Sequence, residues 1–174
     1  MPVQIQLKNQ WNGLPALKSE HTIVSVKGLH NSLSIAFEGQ LNPVFTAPNI
    51  PPEFTHGLWK YDVLEVFFVR PDGSYLEIEI GPSGHWLVYE FASYRKIADK
   101  NPRPLVYTYH VKNLIWQGKL EVPNAWLRTP VARCRVNFYQ IRTSDQGHEY
   151  LAWRSIPTIE PDFHLTECFT FLPT

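Results

Sequence analysis

Methionine and cysteine are nearly missing from this chain. Its 174 residues contain one Met, at position 1, and two Cys, at 134 and 168. Two cysteines cannot build a disulfide scaffold, and without an export signal they are expected as free thiols. Net charge is missing too. Sixteen Lys and Arg balance sixteen Asp and Glu, and no long basic run occurs. Nucleic acid and anionic membranes are therefore not expected as partners. No apolar stretch approaches the length of a membrane-spanning helix. The opening residues, Met1 to Lys8, alternate like a strand and lack the apolar core of a signal peptide, so the cytoplasm is the expected location.

The usual chemical signatures are absent as well. There is no C-x-x-C, H-E-x-x-H, P-loop or G-x-G-x-x-G, and no serine sits in a nucleophile elbow. Seven histidines are scattered, and none stands at metal-ligand spacing from another His or Cys. The long proline-rich stretch from Gly39 to Gly57 offers only Asn42, Asn49 and Glu53 as oxygen ligands. No metal or cofactor is expected on this evidence. Calcium is left open but not indicated.

Aromatic residues and turn signals are abundant: six Trp, eight Tyr, ten Phe, fifteen Pro and nine Gly. They are organised around Trp59 to Phe91. Three short runs rich in β-branched and aromatic residues are separated by Pro71-Asp72-Gly73 and Pro82-Ser83-Gly84, which is the pattern of a β-meander. Each turn suits a three-residue loop with a left-handed glycine, pairing Arg70 with Ser74 and Gly81 with His85. Counting back in twos puts Leu64, Val66, Phe68, Leu76, Ile78, Ile80, Trp86 and Val88 on a core face. The other face carries Trp59, Tyr61, Glu65, Phe67, Tyr75, Glu77, Glu79, Leu87 and Tyr89.

On that second face Glu65 falls opposite Glu79, with Glu77 diagonal to Glu65. Like charges directly opposite on a sheet are destabilising. Two readings follow. The carboxylates serve a polar ligand or a cation, or they lie on a solvated outer face with arginine partners. Arg133 and Arg135 are the expected source of such partners, because guanidinium forks match carboxylates. Side-by-side carboxylates do not bracket a glycosidic bond, so binding is expected rather than hydrolysis.

Elsewhere Val3-Ile5-Leu7, His21 to Lys27, Ser32 to Glu38, Leu105 to Val111, Leu114 to Val122, Arg133 to Arg142, His148 to Arg154 and Glu167 to Leu172 read as strands. Ala92 to Lys100 is the one candidate for a short helix or turn-rich excursion. The long stretch before Trp59 is placed to wall one side of a site. The expected fold is an all-β, two-sheet antiparallel sandwich of about ten strands with at most one short helix, forming a single domain over residues 1–174.

The residues also resemble a known family. Trp59-x-x-Asp62-x-x-Glu65-x-Phe67, then Tyr75-x-Glu77 and Ser83-Gly84, are similar to the front of family 9 carbohydrate-binding modules and the wider DOMON-like group. Leu120-Glu121-Val122-Pro123, Val136-Asn137-Phe138-Tyr139, Trp153, Pro161-Asp162-Phe163-His164 and Phe169 resemble the remainder. The match runs from about Ser32 to the C-terminus.

The resemblance implies a β-sandwich in which two tryptophans hold a terminal sugar ring and a glutamate, an arginine and an asparagine bond its hydroxyls. Trp59 matches the first tryptophan, Glu65 the glutamate, Trp153 the second tryptophan and Asn137 the amide. The arginine does not carry over: its strand reads Tyr-Leu-Glu-Ile-Glu-Ile, and Arg135 or Arg133 would have to substitute. The expected ligand-binding set is Trp59, Glu65, Glu77, Glu79, Tyr89, Arg135, Asn137 and Trp153, with a mono- or oligosaccharide as partner and no catalytic residue. Two other readings stay open: a haem-binding DOMON-type domain, for which Met1 is the sole methionine, and a protein-interaction sandwich without a ligand.

Overall fold

Two glycines set the register of the central meander. Gly73 and Gly84 take φ of 84° and 87°, in the left-handed region that a side chain disfavours. The backbone N–H of Arg70 donates to the Ser74 carbonyl at 2.8 Å, and that of Gly81 to the His85 carbonyl at 2.9 Å. These are the two closures the turn chemistry predicts. In the computed structural model, which describes residues 1–17 and 21–173, they join β5 (Val63–Val69), β6 (Tyr75–Ile80) and β7 (Trp86–Ser93). Glu65 pairs with Glu79 across β5 and β6, as expected.

The meander belongs to the larger of two antiparallel sheets. The remaining strands of that sheet are β2 (Asn9–Gln10), β8 (Lys96–Asp99), β11 (Arg135–Ser144), β12 (Gly147–Ala152) and β13 (Thr170–Phe171). Their order is β2-β12-β11-β5-β6-β7-β8, with β13 alongside β11. The second sheet comprises β1 (Val3–Leu7), β3 (Thr22–Gly28), β4 (Ser32–Gln40), β9 (Val106–Lys112) and β10 (Ile115–Pro123), in the order β1-β3-β4-β10-β9. One short helix, α1 (Asn124–Leu127), and three single-turn 3-10 segments complete the described elements. The fold is thus the two-sheet sandwich, with thirteen strands among the described residues rather than about ten.

Between the sheets lies the main core. Leu64, Val66, Phe68, Leu76, Ile78, Ile80 and Val88 bury there against Ile5, Leu7, Val24, Ile35, Leu120 and Val122, with Trp86 partly buried beside them. Burying this much aliphatic surface is the main favourable contribution to stability.

A second apolar cluster occupies the far face of the larger sheet. Phe67, Tyr75, Leu87, Tyr89, Phe91, Tyr139 and Ile141 are covered by Leu58, Ile156, Phe163 and Phe169 from the flanking segments. Every residue of β5 and β6 is therefore buried, and the solvated outer face considered from the sequence does not exist. The chain returning after β12 lies across it.

Two local expectations are corrected. Ala92 to Lys100 forms no helix; it is the end of β7, a tight turn with Arg95 at φ 52°, and β8. Glu167 to Leu172 is mostly not strand, since a 3-10 turn at Thr166–Cys168 precedes the two-residue β13. Both cysteines are free.

The stretch before Trp59 is fixed by one buried carboxylate. Asp62 accepts hydrogen bonds from the backbone N–H of Thr46 at 2.8 Å and of Thr143 at 3.0 Å, and from both threonine hydroxyls. It staples the loop to β11. Replacing Asp62 by Ala leaves four donors without their acceptor and should cost roughly 3–5 kcal/mol, seen as a lower midpoint in urea unfolding. Asp62→Asn should lose less, since an amide oxygen still accepts.

Candidate functional site

On the far face of the larger sheet the second cluster is incomplete, and a cavity of about 450 Å³ opens there. Glu65 and Glu77 reach it from β5 and β6, Tyr89 and Phe91 from β7, Ile97 from β8, Ile141 from β11 and Tyr150 from β12. Trp59 stands at the rim on a 3-10 turn, Leu58–Lys60, with 45% of its surface exposed. Its ring meets Tyr89 edge-on at 6.3 Å. The opposite wall is the returning segment, Glu160, Pro161, Phe163 and His164, joined by Arg95.

The returning segment is locked to the sheet by stacking and by a polar chain. Phe163 stacks on Tyr139 with centroids 3.9 Å apart and planes 6° from parallel. His164 Nδ1 and the Tyr75 hydroxyl lie 2.8 Å apart, and that hydroxyl accepts from the Arg95 backbone N–H at 3.1 Å. The Arg95 guanidinium pairs with Asp162 at 2.8 Å. The one arginine lining the cavity is thereby already held by a carboxylate.

At the floor, Glu65, Glu77 and Glu79 each present an oxygen within 4.8 Å of the others. Glu79 is 0% exposed. Among the described residues no donor outside the triad reaches either of its oxygens or Oε1 of Glu65, which leaves a proton shared with Glu77 as the hydrogen bond available to Glu79. Burial, and then the neighbouring carboxylates, hold Glu65 and Glu79 well above the ordinary glutamate range. Burial likewise pushes Glu77 up to about 8, partly offset by Arg95. Desolvation penalises charge, and three acids without a cation keep protons instead. His164, 3.9 Å from Glu77, is pushed the other way, to about 4, by burial and then by Arg95, so its ring is neutral.

Of the eight residues expected from the sequence, five meet here: Trp59, Glu65, Glu77 and Tyr89 line the cavity, and Glu79 lies beneath. Three do not. Trp153 donates its backbone N–H to Phe138, so it shares that residue's inward phase and packs against the inter-sheet core, with Arg154 over its ring at 4.6 Å. Asn137 sits on the correct face, but its amide is spent on the Tyr139 hydroxyl and on the backbone of Phe138 and Arg154. Arg135 turns to the Thr166 carbonyl and, with Arg133, lines a different shallow hollow. The arginine partners expected for the carboxylates are not supplied. The stretch from Gly39 to Gly57 does not wall the cavity; it meets the rim through His56, 2.7 Å from the Tyr89 hydroxyl.

Sequence reasoning missed Tyr150, Phe163, His164 and Arg95 as cavity residues. Parity could have found Tyr150, since it lies out of phase with Trp153 on the same strand. The others depend on the path of the returning segment and on the tight turn after β7, which carry no periodic signal.

With this geometry in view, the class of fold can be stated. It is a carbohydrate-binding-module-like β-sandwich. The structure superposes on a protein named as a candidate carbohydrate-binding protein from Bacteroides uniformis, with TM-score 0.74 and 14% identity, covering 96% of this chain and 84% of that one. It also superposes on a family 9 carbohydrate-binding module from Caldicellulosiruptor kristjanssonii in complex with glucose, with TM-score 0.58 and 10% identity, covering 87% and 74%. The likeness supports the carbohydrate-binding-module side of the expected resemblance and not its DOMON side.

In sequence, the chain is similar to the UPF0462 protein C4orf33 homolog of Danio rerio, 29% identical over 94% of this chain and 85% of that one. Similarity to UPF0462 protein C4orf33 of Homo sapiens is 27%, over 96% and 86%. No protein-family model matches.

Proposed function

We propose that the cavity binds a small polyhydroxylated ligand, a mono- or short oligosaccharide, without catalysing its cleavage. The observation that carries this reading is the half-exposed indole of Trp59 standing over buried carboxyls with no free protein cation among the lining residues. A sugar offers C–H faces to an aromatic ring and hydroxyls that can both donate and accept. Protonated carboxyls supply the complementary partners, an O–H that donates and a carbonyl oxygen that accepts. The cavity volume falls within the range of ordinary small-ligand pockets. The superposable family 9 module held glucose, which supports the same ligand class. The three carboxyls stand together at one floor rather than on both sides of a bound ring, which argues for binding over hydrolysis.

The test is a titration of glucose, cellobiose, cellotriose and other mono- and oligosaccharides, followed by tryptophan fluorescence and calorimetry. At least one sugar should perturb Trp59, and Trp59→Ala should weaken its binding at least tenfold while leaving the melting temperature close to that of the parent. Silence across the panel would sink the reading.

A further inference from the structure

We propose that Glu65, Glu77 and Glu79 form a binding site for one hard divalent cation at the floor of the cavity, with open coordination positions facing the space above. The inference concerns the same cavity as the sugar reading but rests on the geometry of the floor alone. Three carboxylate oxygens converge within 4.8 Å of one another. Two oxygens on one ion lie no further apart than twice the bond length, about 5 Å at the 2.3–2.6 Å of Ca²⁺, so an ion of that size can touch all three.

The second observation is the state of these oxygens. Both oxygens of Glu79 and Oε1 of Glu65 are fully buried and, among the described residues, receive no hydrogen bond from any donor outside the triad itself. A buried carboxylate oxygen without a donor is costly, and native structures rarely leave one so. Nearby positive charge does not answer it. Arg95 is committed to Asp162, Arg135 to a backbone carbonyl, Arg142 to Glu149, and Arg70 and Arg103 to Glu90. A divalent ion would supply what the protein withholds, leaving the four-component site with a net charge of minus one.

An all-oxygen donor set selects the hard class, Ca²⁺, Mg²⁺ or Mn²⁺, over softer ions. The remaining positions would go to water or to ligand hydroxyls entering from the cavity, since the roof is open beside Trp59. His164 Nε2 stands beside the site, 3.9 Å from Glu77 Oε1. The three members come from two facing strands, β5 and β6, and not from one loop.

The experiment uses the whole chain stripped with EDTA and returned to chelator-free buffer at pH 7.5. Mn²⁺ is titrated while free ion is followed by electron paramagnetic resonance. One equivalent should bind, Ca²⁺ in excess should displace it, and binding should weaken at least tenfold in Glu79→Gln and in Glu65→Gln. Should one of these variants fail to fold, the other and the Mn²⁺-dependent rise in wild-type melting temperature carry the same test. No saturable Mn²⁺ binding by the wild type overturns the proposal, as does binding that survives both substitutions. Sugar binding is read separately from Trp59 fluorescence. Mn²⁺ uptake without any sugar response would overturn the sugar reading alone; a sugar response without Mn²⁺ uptake would overturn the cation site alone.

Discussion

In EDTA, the melting temperature should fall as pH rises from 6.5 to 9, by about 3–6 °C per pH unit for each proton the folded state retains. Glu77 is held up to about 8 by burial; Glu65 is raised by burial and then by Glu77, and Glu79 by burial and then by Glu65 and Glu77. An acid raised in the folded state binds its proton more tightly there than in the unfolded chain. Its contribution is complete below the ordinary glutamate range and drains away as pH climbs through the folded value.

The groups packed around the triad do not mimic this slope. His164, lowered to about 4, adds stability as pH rises toward 6.5 and nothing beyond. Asp162 is lowered and has completed its contribution well below that. Tyr75 is pushed up to about 12, and Tyr89 and Tyr139 are also raised, so the phenols stay neutral throughout the window. The interval from 6.5 to 8 therefore belongs to the three glutamates; nearer pH 9 the Cys134 thiol, also raised by burial, adds to the fall. Differential scanning fluorimetry across the range measures it, and Glu77→Gln should remove the share of the slope below pH 8 that belongs to its one proton. A flat or rising profile would show that the carboxyls are not buried together as described.

That arrangement was legible in the sequence to an unusual depth, and the reason is the two turns. Gly73 and Gly84 specify loops of one length, and a loop of fixed length fixes pairing. From there, strand parity alone puts Glu65 opposite Glu79 and sorts the aliphatic residues of β5 to β7 onto the inner face. The same parity applies to β12 and the residue that follows it. Trp153 follows Leu151 in phase, inward, and Tyr150 follows the outward phase, so the outward aromatic on that strand is a tyrosine. Likeness to a family suggested a tryptophan where the pleat provides none.

The burial of the far face was not legible. The outward alternation of Glu65, Phe67, Glu77 and Tyr89 is compatible with water or with a covering segment. Only the path of residues 160–169, which has no period and few turn signals, decides between them. The departure of Arg135 has a similar origin. Its side chain is on the expected strand, but the 3-10 turn at Thr166–Cys168 brings a carbonyl within 2.9 Å, and the nearer acceptor holds it.

Phe163→Ala should be strongly destabilising although the ring lies outside the inter-sheet core. The ring is 9% exposed and lies flat on Tyr139, with Tyr150 edge-on at 5.9 Å. Its removal takes away an aromatic stack and leaves a hole over the sheet, at a cost of about 3–5 kcal/mol. For a chain of this length that is roughly 10 °C in melting temperature. Phe163→Leu refills part of the hole and should recover about half.

The more telling consequence is electrostatic. Tyr139 lies directly across from Glu65 on the neighbouring strand, so stripping the ring above it admits water toward the carboxyls. Their raised affinity for protons comes first from burial, and hydration must relax it. Phe163→Ala should therefore melt lower at pH 6.5 yet lose less on going to pH 9 than the parent does. Parallel melting curves displaced by a constant amount at every pH would mean that Phe163 packs on the sheet without shielding the acids. Convergence of the two curves at high pH would tie the returning segment to the chemistry of the floor, since the same ring would be closing the second core and keeping the carboxyls dry.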